Sequence, residues 1–324
     1  MAIRWTWSNL PLSQATAGLG PNATLAFAPG QGLDLDLRLP DLGAFPLPLE
    51  KARVLLESAG EVEHMLMVQY LYAAMTLKGP AAADLSDAQR TAVGSWRVTL
   101  TEIAVEEMGH LMGVQNLILF VGGQPSFERE EFPPRTDLYP FALHLEPLSF
   151  ASLARYVLAE SPLGDEDQLA EYRAVAGASD VRHVGIIYGL LDLLFRRPEE
   201  VPAAGTADAW DAFVARLADA TGARHHPTEW HLPASAFDPA SLARQAVPED
   251  LPGDLYFAAV ASPEQARDLL RRIGLQGEAP VTNPASHYRR FLEIARGSDD
   301  ILAFPRDGSW VPAFAVGVDP TSAD

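Results

Sequence analysis

The stretch Thr101-Glu-Ile-Ala-Val-Glu-Glu-Met-Gly-His-Leu111 decides how this chain is read. It carries Glu107 and His110 three residues apart. A helix turns about 100° per residue, so this spacing leaves the two side chains about 60° apart on one face. Along the axis they stand roughly 4.5 Å apart, within reach of a single metal ion. Leu100, Ile103, Val114 and Leu117 continue the same face in both directions. Such an apolar stripe packs into a bundle core. A carboxylate without a counter-charge is costly there, and a metal ion removes the cost. The ExxH spacing alone also occurs by chance on solvated faces, and Glu106 beside it shows that charge is not rare in this segment.

A second helix strengthens the reading. Residues 49–78 place Leu56, Glu63, Met67, Tyr70 and Ala74 near one face at helical spacing. Glu63 stands among Val62, Met65, Leu66 and Met67; its alternative is a solvated position at the edge of the stripe, as for Glu61. Gly79-Pro80 ends this helix. Ser86-Asp-Ala-Gln89 is a capping box that starts the next, which runs to about Val121 and stops at Gly122-Gly123. Two long helices with a short connection are expected to pack antiparallel. Glu63 and the Glu107/His110 pair then meet at one level.

Further along, residues 123–147 are a proline-rich loop and Ser149–Glu160 a shorter helix. Glu160 closes that helix before Ser161-Pro162. A carboxylate at the negative end of a helix dipole is unfavourable, which points to a ligand role. Val181–Phe195 reads as a strongly apolar helix, with Asp180 and His183 as a DxxH and with Tyr188. His183 near a helix start also suits capping or packing. Residues 198–260 are mixed, with a helix near Asp208–Ala220 and a loop holding His225, His226 and His231. Those three lack helical spacing, so a solvated loop is preferred to a zinc site. Helices follow at Pro263–Ile273 and Ser286–Arg296. Residues 1–48, rich in Gly, Pro and Leu, read as an extended arm with one strand near Leu33–Leu39. Residues 301–324 read as coil.

Composition excludes several function classes. The 324 residues carry 43 acidic against 24 basic side chains, a net charge of -19. Nucleic acid and anionic membrane surfaces are poor partners for such a chain. With no cysteine, disulfides, thiolate catalysis and Cys-ligated metals are excluded. No leader-like apolar core opens the chain and no run reaches membrane-spanning length, so the expected location is cytoplasmic.

ExxH projecting into a bundle is also the ligand motif of ferritin-like di-metal proteins. The chain resembles one such family, the ferritin-like domain of iminophenyl-pyruvate dimer synthase from violacein- and rebeccamycin-type biosynthesis. The resemblance is carried by Val62-Glu-His-Met-Leu-Met-Val-Gln-Tyr-Leu-Tyr-Ala-Ala74, Ile103-Ala-Val-Glu-Glu-Met-Gly-His-Leu111 and Asn116-Leu-Ile-Leu-Phe-Val-Gly-Gly-Gln-Pro125. Glu160-Ser-Pro162, Gln276-Gly-Glu278 and Ser286-His-Tyr-Arg-Arg-Phe291 extend it, so it covers residues 55–297. It implies an all-α, ferritin-like helical bundle over residues 49–300, with long insertions at 123–147 and 198–260 and an extended N-terminal arm. It implies a di-metal site of Glu63, Glu107, His110, Glu160, Glu278 and His287. Tyr70, His183 and Tyr188 are candidates to support those ligands, the tyrosines having the plainer role of core aromatics. Glycines flanking Leu275-Gln276 suggest a tight bend that aims Glu278 inward. The dipole at the start of the last helix favours a neutral His287 able to ligate. The chain departs from the family at Val184-Gly-Ile-Ile-Tyr188, which has no acid at position 186, and at Ala279, where relatives have Gly.

Carboxylate and imidazole ligands suit iron, manganese or zinc, and the resemblance implies di-iron. The implied activity is an oxidoreductase acting on a small amino-acid-derived or aryl-pyruvate imine in natural-product biosynthesis. A partner enzyme of the same pathway and self-association are compatible with it. The competing class is a non-catalytic metal binder, either an iron store or a scaffold. An enzyme needs a substrate-sized pocket. The long insertions would disrupt a storage cage and can build such a pocket, which favours the enzyme.

Overall fold

The computed structural model describes residues 42–129, 131–134, 139, 141–162, 169–178, 183–246, 259–277, 283 and 285–320, and the backbone pairs 24–25 and 35–36. Its regular structure is dominated by helices. These are α1 (Pro48–Thr76), α2 (Asp87–Phe120), α3 (Phe150–Ala159), α4 (Ala170–Ala176), α5 (Gly185–Phe195), α6 (Ala209–Ala220), α7 (Pro227–Trp230), α8 (Pro263–Gly277) and α9 (His287–Arg296). Thr24–Leu25 pairs antiparallel with Leu35–Asp36. None of the described helices is long and apolar enough to cross a membrane. The chain forms two compact units, and both long helices run through the boundary.

The first unit comprises Met1–Glu63, Gly109–Glu128 and Val184–Leu275. In it the start of α1 runs antiparallel to the end of α2. Arg53 donates to the Val121 carbonyl, a Cβ on Gly60 would touch Val114 and Gln115, and Glu63 faces His110. Helix α2 stops where Gly122 takes φ +70, a left-handed value that glycine adopts without a Cβ clash. Helix α5 is buried along its whole length and packs on α6. Phe120, Phe195 and Phe237 stack beside it.

Helix α8 corrects one expectation. It continues through Gly274 and Gly277, where a tight bend was expected. Gly274 is needed for close packing instead, because a Cβ there would stand 2.6 Å from the Trp210 ring.

The second unit comprises His64–Met108, Arg129–His183 and Gln276–Asp324. Ser86 and Gln89 exchange the backbone bonds of a capping box at the start of α2. Ser149 and Ser152 do the same for α3. This satisfies amide donors that no helical carbonyl reaches. Helix α3 packs on α4 and α9. Arg290 of α9 reaches the Thr99 carbonyl and Glu102 of α2. The C-terminal segment is coil tied to the end of α1 by a bridge between Leu77 and Ala313. Trp96 packs against the rings of Phe304 and Trp310.

Candidate metal centre

In the second unit Glu107, Glu160 and His287 converge. Their ligand atoms lie within 4.8 Å of one another and all three residues are buried. The helices that carry them are placed by local signals. Ser149 caps α3, whose last turn ends on Glu160. Ser286 caps α9 by accepting from the Arg289 amide, which sets His287 in the first turn. His287 Nδ1 is 2.9 Å from Glu107 Oε1 and 3.6 Å from Glu160 Oε2.

The far side of the imidazole is held as well. Glu106 Oε2 lies 2.9 Å from His287 Nε2 and accepts from Arg290 at 2.7 Å. A carboxylate on the outer nitrogen fixes the ring's tautomer and orientation, as is usual for metal-ligating histidines. Glu106 was set aside in the sequence as ordinary charge. Its neighbour Glu107 carries the ligand pattern, and nothing local shows that α9 brings a histidine and an arginine against it.

Burial alone would push the His287 ring down, but Glu107, Glu106 and Glu160 outweigh it and hold the ring protonated well above the usual imidazole range. In the metal-free protein the nearby carboxylates therefore outweigh the helix dipole. Burial raises Glu106, yet His287 and Arg290 bring its carboxyl below the ordinary value. Tyr70 donates its hydroxyl to Glu160 Oε1 at 2.5 Å and packs edge-on against Tyr156. Burial first, then Glu160 and Glu107, pushes its phenol well above 10.

In the first unit Glu63 and His110 form a buried pair, with Oε2 and Nδ1 3.3 Å apart. The Tyr188 hydroxyl donates to Glu63 Oε1. Ile186, on the same helix as Tyr188, is buried. Glu107 and His110 sit one turn apart on the unbroken α2, so a single helix contributes to both clusters.

The other candidates lie elsewhere. Among the described residues, His183, His225, His226 and His231 enter no group of three or more ligand side chains. His183 Nδ1 lies 2.8 Å from the Ser161 carbonyl, and His231 Nδ1 lies 2.9 Å from that of Arg196, so the Nδ1 of each ring bonds a backbone carbonyl. His226 lies 3.8 Å from Glu229 on an exposed surface. Glu278 and Asp180 lie outside the described residues.

The donor set fits a divalent metal. It offers buried oxygen and imidazole nitrogen without sulfur, and the positive charge among the carboxylates is a proton on His287. A metal ion can take that position by displacing the proton. Long helices carrying buried carboxylates and imidazoles make a helical protein compatible with a metal site. A family model described as Ferritin-like matches residues 56–296, and the chain belongs to that family. Its fold is the all-α ferritin-like bundle, and its clusters fit a di-metal protein. No curated protein and no solved structure matches the chain.

Proposed function

We propose that this protein is a di-metal, di-iron-type oxidoreductase of the iminophenyl-pyruvate dimer synthase kind, acting on a small imine derived from an amino acid or aryl-pyruvate. The observation that carries the metal reading is the buried convergence of Glu107, Glu160 and His287, with Glu106 on the outer nitrogen. Glu63 and His110 would hold one ion and the Glu107 cluster the other. The sequence elements quoted above support the substrate class.

Bound iron would bind dioxygen, the oxidant, and relay to it the electrons that the imine loses on oxidation. The residues of the chain do the rest. Glu106 holds His287 in one orientation by accepting a hydrogen bond from its outer nitrogen. Tyr70 and Tyr188 hold hydroxyl protons on Glu160 and Glu63. The buried surroundings exclude bulk water from the ligands, which strengthens their electrostatic grip.

The test combines elemental analysis with oxygen uptake. Purified protein is expected to hold close to two ions per chain, and Glu107→Gln to lose much of that metal while keeping its helical circular dichroism. Unchanged metal in the folded variant refutes the ligand assignment. Iron-loaded protein should consume dioxygen faster when an aryl-pyruvate imine is added. Metal uptake without that acceleration supports the non-catalytic binder instead.

A further inference from the structure

We infer that Tyr188 and Tyr70 are positioning residues that confine the carboxylates of Glu63 and Glu160 to metal binding through one oxygen each, keeping coordination positions open to small ligands. The inference rests on the metal-binding reading above.

The same division of labour recurs in both units. In the first, the Tyr188 hydroxyl donates to Glu63 Oε1, while Oε2 stands 3.3 Å from His110 Nδ1. In the second, the Tyr70 hydroxyl donates to Glu160 Oε1, while Oε2 stands 3.6 Å from His287 Nδ1. Each carboxylate thus turns one oxygen to a phenol and the other to the ligand imidazole.

Neither phenol is placed to swing away. Tyr70 is wholly buried, with the rings of Tyr156 and Phe291 at 5.0 Å and 4.9 Å. Tyr188 is buried on α5, beneath the close approach of Gly274 from α8. The backbone crowds Glu160 too, since a Cβ on Gly277 would lie 3.1 Å from its Oε2. A carboxylate that binds through both oxygens fills two coordination positions. To do so here the oxygen that accepts the phenol would have to turn its remaining lone pair to the metal, and the buried hydroxyl bond opposes that turn by fixing the oxygen's orientation. The hydroxyls therefore hold the coordination number down.

Cobalt(II) is the probe, because its visible bands strengthen as coordination falls below six. The full chain loaded with cobalt is expected to bind two ions, with bands of five-coordinate intensity that shift when azide is added. Tyr70→Phe and Tyr188→Phe each free one carboxylate oxygen. Each variant is expected to weaken the bands of one ion by about two-fold or more as its geometry moves toward six-coordinate. Cobalt stoichiometry should be unchanged and the azide shift smaller. A merely structural role would lower stoichiometry or thermal stability and leave the bands of bound cobalt as they were. Unchanged bands and azide response in both variants overturn the inference. So does a six-coordinate, azide-insensitive spectrum in the unmodified protein, which needs no variant to fold. Failure of the unmodified protein to take up cobalt overturns the metal reading itself, and this inference with it.

Discussion

Replacing His287 by Ala tests the electrostatic account of the second-unit cluster in the metal-free protein. The ring is fully buried, 2.9 Å from a carboxylate oxygen on each side, with Glu160 at 3.6 Å. Its raised pKa means it carries a proton when folded at pH 6. Removing it leaves Glu107 and Glu160 buried together without their counter-charge. Breaking a buried pair from one side costs about 3–5 kcal/mol. Glu106 keeps Arg290 and adds little to that loss. The assay is urea unfolding in chelator, followed by circular dichroism.

The pH dependence carries a sign. A folded pKa above the unfolded value gives stability that is complete below about 6.5, the unfolded imidazole value. Above it the contribution falls by about 1.4 kcal/mol per pH unit, until the folded ring itself deprotonates. The wild-type advantage over His287→Ala should therefore be largest near pH 6 and shrink as pH rises. A difference below about 1 kcal/mol at pH 6, a loss typical of surface changes, refutes the reasoning. An advantage that grows with pH refutes it equally.

Three further outcomes are expected. Glu106→Gln keeps an acceptor near His287 but loses the charge, and should weaken metal affinity about 10–100-fold in a competitive chelator titration; unchanged affinity would remove Glu106 from the site. Gly274→Ala gains up to about 1 kcal/mol of helix propensity, but must displace a Trp210 ring anchored to Asp192 at 2.9 Å. Overpacking costs about 1–3 kcal/mol, so the variant should be less stable in urea unfolding followed by tryptophan fluorescence, and a gain would refute the packing role. Ser149→Ala removes the side-chain acceptor of the α3 capping box and should cost about 1 kcal/mol in the same assay, with no loss expected if the cap is idle.

The helices were legible in the sequence because their determinants are local. Apolar spacing, the Ser86 capping box and the stop at Gly122 act within a turn or two of the residues they govern. Glu107 and His110 share a face by helical geometry alone, and no tertiary contact is needed to pair them. The approach of His287 to Glu107 and Glu160 depends on α3 and α9 packing together, which no local pattern states. The resemblance to a family supplied those names, and the packing supplied the distances. Glu106 was missed because its partners, His287 and Arg290, lie more than 180 residues away in the chain. Gly274 was misread because a glycine that relieves a turn and one that admits an indole ring look alike in sequence. The proton that metal-free His287 holds is likewise set by the packing. A helix dipole is visible from sequence, whereas charges that packing places within 3 Å are stronger and belong to the tertiary structure.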